Sequence, residues 1–246
     1  MSHGGGAPAS VPAGDRGGVT VSESRLIARR RLLALATLSL GALAAPRPAA
    51  AQSTWRVGLQ AGHWLASELP DELRRLRLAT GTYGGGVSEW ELNLDVATRA
   101  ARRLEAEGVA VDVLPATVPP GYRADAFVAI HADGDASGRS TGFKLARATR
   151  SVVPEQDDRL LAAISATYAE ATGLPLDPRV SRNMTGYYAF SSRRFAHAIA
   201  PTTPAVIIEM GFMTNPADLR VLLSNPEALA AGISRGVYRF LTQGEV

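Results

Sequence analysis

The sequence predicts a single α/β domain: a twisted, mainly parallel sheet flanked by helices on both faces. Two observations predict it. From residue 52 onward, short apolar runs rich in β-branched residues alternate with longer stretches of helical periodicity, the pattern of strand–helix crossovers. Three of those apolar runs also end in a histidine or a glutamate, at the strand ends where open α/β sheets bind ligands.

The elements follow in order. The first strand, 55–60, runs into Gly62-His63. The first helix, 89–107, starts after Ser88, a good cap, and stops at Gly108, which suits the left-handed position past a helix end. A strand over 110–114 precedes a turn-rich connection from Pro115 to Gly121. The strand 126–130 is wholly apolar up to His131, and a short strand is expected over 142–146. Helix 155–172 ends at Gly173. The aromatic run Tyr187-Tyr188-Ala189-Phe190 suits a core strand, because Tyr and Phe favour strands. Strand 205–209 carries Val206, Ile207 and Ile208, and reads as buried on both faces. Asn215-Pro216 and Asn225-Pro226 each place a cap before a helix-starting proline, opening helices 216–223 and 226–241.

The first 51 residues stand apart. Arg29-Arg30-Arg31 precedes an apolar run from Leu32 to Ala45, shorter than the roughly 20 residues a membrane helix needs. A cationic stretch, a short apolar run and the small residues Ala49-Ala50-Ala51 form an export signal, with the mature chain starting at Gln52. Arg29-Arg30-Arg31-Leu32-Leu33 fits the twin-arginine type; an uncleaved membrane anchor is the alternative. The expected organisation is an export signal over 1–51 and a catalytic domain over 52–246. The leader holds six of the 26 basic and two of the 23 acidic residues. The mature part therefore has 20 basic and 21 acidic residues, and the high isoelectric point gives no support for nucleic-acid binding. With no cysteine, a metal site must use histidine and carboxylates.

An ionised Glu209 at the end of a buried strand requires compensation by a metal, a base partner or a substrate. A buried ion pair with Arg182, Arg193 or Arg194 is the plainer reading. His63 and His131 each leave a buried strand for a loop. Two histidines and one carboxylate suit zinc and leave a coordination position open for water. Both Glu89 and Glu91 open the first helix. Glu91 stands three residues after Ser88 and completes a capping box, whereas Glu89 shares a face with Leu92 and Val96 and points inward. Glu91 lies about 200° around the helix from it, so Glu89 is the expected ligand. His197, Asn183 and the aromatic run carry weaker signals for a cleft, and Asp133 is expected to hold the loop after His131.

These residues resemble a known family. Gly62-His63, Glu89-x-x-Leu92-Asn93-Leu94, Ile130-His131-Ala132-Asp133 and the segment from Pro204 to Pro216 are similar, in order, to the zinc-dependent N-acetylmuramoyl-L-alanine amidases of the amidase 3 type. The resemblance implies zinc held by His63, Glu89 and His131, Glu209 as the catalytic acid/base, and peptidoglycan as the substrate of an exported enzyme. No stable membrane insertion is expected after processing. Two departures stand out: Gln60-Ala61-Gly62-His63 replaces the usual Asp-Pro-Gly-His opening, and 25 residues separate His63 from Glu89. That insert holds an expected amphipathic helix over 68–77 and a flexible Gly84-Gly85-Gly86; it reads as a cleft wall or lid, or as a packed surface helix. A zinc peptidase acting on another substrate and a non-catalytic wall-binding module are the alternative readings.

Overall fold

The computed structural model describes residues 55–243. The expected export signal, residues 1–51, lies outside the described residues. In chain order the elements are β1 (Arg56–Ala61), β2 (Tyr83–Gly84), β3 (Val87–Ser88), α1 (Glu89–Ala106), β4 (Ala110–Leu114), β5 (Ala126–Asp133), β6 (Lys144–Ala146), α2 (Pro154–Thr172), α3 (Arg182–Thr185), β7 (Ala205–Phe212), α4 (Pro216–Ser224) and α5 (Pro226–Thr242). Five strands form one sheet in the order β4-β1-β5-β7-β6, parallel except for the edge strand β6.

Side chains alternate along each strand, so the sheet serves two cores. Val57, Leu59, Val128, Ile130, Val206 and Ile208 face one, which α1, α2 and α5 cover. Phe127, Ala129, Ala205 and Ile207 face the other, covered by short helical turns and loops that contribute Leu69, Leu73, Met184 and Tyr188. The long helices thus cover one face and short ones the other. Among the described residues no helix is long and apolar enough to cross a membrane.

Helices α2 and α5 approach closely through glycine. A Cβ on Gly236 would lie 2.5 Å from the Ile164 Cα, and Thr167 donates across the contact to the Gly232 carbonyl at 2.7 Å. Gly236→Leu is expected to destabilise the fold by about 1–3 kcal/mol, as overpacking does. The measurement is a urea midpoint that falls while the slope is kept; an unmoved midpoint would show that the helices part freely.

Several elements differ from expectation, each for a local reason. β5 and β7 run past His131 and Glu209, so these residues sit within paired strands rather than at their ends; they are register partners. β6 starts only at Lys144, because Gly142 has a φ of 97° and Phe143 bridges to Leu176. The run from Tyr187 is not a strand: Tyr188–Phe190 is a 3-10 turn. Tyr187 and Tyr188 both reach Gln60 with their hydroxyls, which consecutive residues of a strand, pointing to opposite faces, cannot do. The insert forms two 3-10 turns, Ala66–Glu68 and Asp71–Leu76, pinned by buried Leu69 and Leu73. The glycine run forms a turn: Gly85 and Gly86, at φ 60° and 84°, link β2 to β3.

Candidate active site and metal centre

Strand order creates the crevice. From β1 the chain moves outward to β4, then returns to place β5 on the other side of β1. Such a reversal leaves a gap beyond the carboxyl ends of the two central strands. His63 follows β1 into this gap and His131 stands near the end of β5. The helix α1 begins there and brings Glu89, which is buried.

His63 adopts φ 63°, a left-handed conformation uncommon for a residue with a Cβ. Its Nδ1 lies 2.6 Å from the Ala79 carbonyl, so Nδ1 carries the proton and Nε2 is left with its lone pair, 3.3 Å from Glu89 Oε1. Gly62 makes the close approach possible, because a Cβ there would lie 2.3–2.5 Å from the His131 ring atoms. The insert therefore does more than cover the core: its tail supplies the Ala79 carbonyl, and Thr82 N–H donates to Glu89 Oε2 at 2.8 Å.

His131 is held from the opposite side. Tyr187 donates its hydroxyl to Gln60 Oε1 at 2.9 Å, so its oxygen accepts from His131 Nε2 at 3.3 Å. Gln60 is itself fixed, donating to the Ala116 carbonyl and the Tyr188 hydroxyl. A neutral His131 then presents the Nδ1 lone pair, 3.1 Å from Glu89 Oε1. Three lone pairs thus converge on one space: His63 Nε2, His131 Nδ1 and Glu89 Oε1, one donor atom from each residue, all within 4.8 Å of one another. A cation relieves their repulsion. Bonds of about 2.0–2.1 Å in a tetrahedral zinc site set donor atoms about 3.3 Å apart, close to the two spacings to Glu89 Oε1, 3.3 and 3.1 Å.

The carboxylate of Glu89 is oriented by its own donors. Ala132 N–H and Asn93 Nδ2 reach Oε1 at 3.2 and 3.3 Å, and Asn93 also donates to the Gly62 carbonyl at 3.1 Å. Asn93 lies between two acceptors, so a flipped amide would set oxygen against oxygen; its Oδ1 has no partner. Burial by itself would raise the Glu89 carboxyl, but in the ion-free site a proton placed between it and either ring forms a hydrogen bond that outweighs burial and holds the carboxyl well below the usual range. Burial likewise disfavours a charged His63, yet Glu89 wins and raises its pKa. Glu91 takes the capping role: Ser88 N–H donates to its Oε2 at 2.9 Å.

Glu209 is the register partner of His131 on β5 and of Lys144 on β6, so the three side chains share a face of the sheet. Among the described residues it makes no ion pair, and Arg182, Arg193 and Arg194 do not reach it. Lys144 is engaged elsewhere, 2.5 Å from Asp133. Burial, with Glu89 and Asp133 nearby, pushes the Glu209 carboxyl well above the ordinary range. A half-buried, raised and unpartnered carboxyl beside a candidate metal centre is equipped to move protons.

The remaining candidates separate. Asp133 does anchor its loop, accepting from Gly134 N–H at 2.8 Å. His197 lies away from the centre, where its Nδ1 meets Glu72 at 2.8 Å, and Asn183 is exposed on α3. Gln60, Asn93 and Tyr187 were not assigned to the centre from sequence. Gln60, polar inside an apolar strand, and Asn93, one turn after Glu89 on the inward face, carried the signal; Tyr187 carried none beyond its neighbours.

Comparison with known proteins bears on the family and the fold. The family model described as N-acetylmuramoyl-L-alanine amidase matches residues 57–239. Among solved structures, the amidase Ami1 from Mycobacterium smegmatis is 20% identical, with a TM-score of 0.57 over 78% of this chain and 99% of that one. The amidase AmiC2 of Nostoc punctiforme is 20% identical, at a TM-score of 0.56 over 76% and 97%. The CwlD amidase from Clostridioides difficile, solved in complex with the GerS lipoprotein, is 16% identical, at a TM-score of 0.54 over 77% and 99%. At these identities the likeness is one of fold. No curated protein matches.

Proposed function

Since the chain belongs to the N-acetylmuramoyl-L-alanine amidase family of the amidase 3 type, we propose that it is an exported zinc enzyme. It hydrolyses the amide between the lactyl group of N-acetylmuramic acid and the L-alanine of the peptidoglycan stem peptide. The observation that carries this reading is the convergence of His63 Nε2, His131 Nδ1 and Glu89 Oε1 beside the unpartnered Glu209. Those three residues would hold the zinc ion, whose chemistry when bound would be to acidify water and polarise a carbonyl. Glu209 accepts the proton of the attacking water and delivers it to the departing L-alanine nitrogen. Burial, with Glu89 and Asp133 nearby, raises its affinity for a proton, which suits a group that first accepts one and then gives it up. His63 and His131, fixed by Ala79 and Tyr187, keep their lone pairs aimed at one point.

Digestion of purified peptidoglycan with mass analysis of the products tests the reading. Free stem peptides bearing an L-alanine amino end support it. Cleavage within the stem indicates a peptidase instead, and binding without cleavage a wall-binding module. Tyr187→Phe removes the acceptor for His131 Nε2 while keeping the ring. It is expected to weaken zinc by about 10–100-fold, as changes to a ligand's outer partners do. Competition with a chelator measures this, and unchanged affinity would show that Tyr187 does not orient His131.

A further inference from the structure

Two adjoining cavities, about 380 and 300 Å³, open on the site face of the sheet beyond the edge strand β6. Ala148, Arg150, Phe190 and Ser191 line both. Arg193 and Arg194 line the larger one and Arg182 the smaller. None of these four arginines makes an ion pair among the described residues, and all are exposed. This is unlike the same loop's Arg147, which lies 2.5 Å from Asp158. Residues 180–208 contain no acidic residue at all. The carboxylate in the larger cavity, Asp157, is buried and already accepts from Ala205 N–H at 2.8 Å. The result is a concave, locally cationic surface on a domain whose basic and acidic residues otherwise nearly balance.

Its place relative to the centre is set by β7. Ala205 lines the larger cavity and Glu209 lies four residues further along the same strand, on the same face. At about 3.3 Å per residue the separation is about 13 Å. An extended peptide covers this distance in about four residues. Buried Ile207 fills the line along β7, so the route passes instead by exposed Gly186, which lines the smaller cavity and is the neighbour of Tyr187, which touches His131. A peptide chain of that length ends in a carboxylate, and arginine suits carboxylates through its forked donors.

We propose that these cavities bind the C-terminal carboxylate of the stem peptide, about four residues from the scissile amide, with Arg150 and Arg193 as its principal partners. The inference rests on the amidase reading for the identity of the peptide. The site would make the protein select stems by length and by their free end.

The test uses muramyl tetrapeptides that differ only in ending as carboxylate or carboxamide. The intact protein is expected to show kcat/KM about ten-fold higher for the carboxylate form, in line with the loss of one charge-assisted contact. An Arg150→Ala/Arg193→Ala variant should lose that preference, its kcat/KM being equal for the two substrates, while keeping its melting temperature. Equal wild-type values for the two substrates, or a preference that survives in the variant, would overturn the proposal. If neither muramyl peptide is hydrolysed, the amidase reading fails. Calorimetric titration of the free tetrapeptide acid and amide then decides the anion site by itself: tighter wild-type binding of the acid, lost in the variant, supports it, and equal affinities refute it.

Discussion

Replacing Glu209 with glutamine is expected to lower turnover by about 10²–10⁴-fold, the range for loss of a general acid/base, while the metal-free protein gains stability. Glutamine keeps the shape and removes the proton. Zinc content should therefore stay at the wild-type level, and retained activity would refute the assigned role. The stability gain follows from the raised pKa. The folded Glu209 titrates well above the ordinary value, because burial and the nearby Glu89 and Asp133 disfavour its charge. In the unfolded chain it ionises near pH 4.3. Between those two values the unfolded state is ionised and the folded state resists ionisation, so wild-type stability falls as pH rises through the window. The glutamine variant escapes this penalty. Unfolding in the presence of chelator should show the variant ahead by about 1–3 kcal/mol near neutral pH, the scale for an unsatisfied buried polar group. The two proteins should converge below about pH 4. A variant less stable than wild type at neutral pH would mean that the charged carboxylate is welcome where it stands.

His131→Ala is expected to abolish stoichiometric zinc and, with it, turnover. The ring supplies one of three converging donor atoms, and its loss leaves His63 and Glu89, too few for a closed-sided zinc site. Affinity should fall by more than the roughly 100-fold that marks an outer-partner change. Removing the ring also strips Glu89 of its 3.1 Å neighbour and leaves Tyr187 with Gln60 as its remaining hydroxyl partner. Elemental analysis after dialysis reads the result. Full metal content in this variant would remove His131 from the ligand set. Folding is a separate readout: the ring packs on Gly62 but lies outside the two apolar cores, so the circular dichroism spectrum should be kept.

Much of this was legible in the residue order. Short apolar runs rich in β-branched residues read as buried strands and the two Asn-Pro pairs as helix starts; those elements begin within a residue of expectation. Glu89 could be separated from Glu91 because a capping box is a local device, complete within four residues. Other features depend on partners distant in sequence. That β5 and β7 pair beyond His131 and Glu209 follows from their register, which no local pattern encodes. The 3-10 turn at Tyr188–Phe190 exists because Gln60, 127 residues before Tyr187 in the chain, offers both ends of its amide to the two hydroxyls. Aromatic content alone points to a strand there, and a tertiary hydrogen bond overrides it.

The centre joins three parts of the fold that share no disulfide, since the chain has no cysteine. His63 belongs to the loop after β1, Glu89 to the first turn of α1, and His131 to β5. An ion bound among them would act as a removable cross-link, stabilising the folded state by mass action because the unfolded chain does not assemble the three donors. Resistance to proteolysis would then be a property of metal supply: starved of the ion, the protein would lose its proposed catalyst and its brace together.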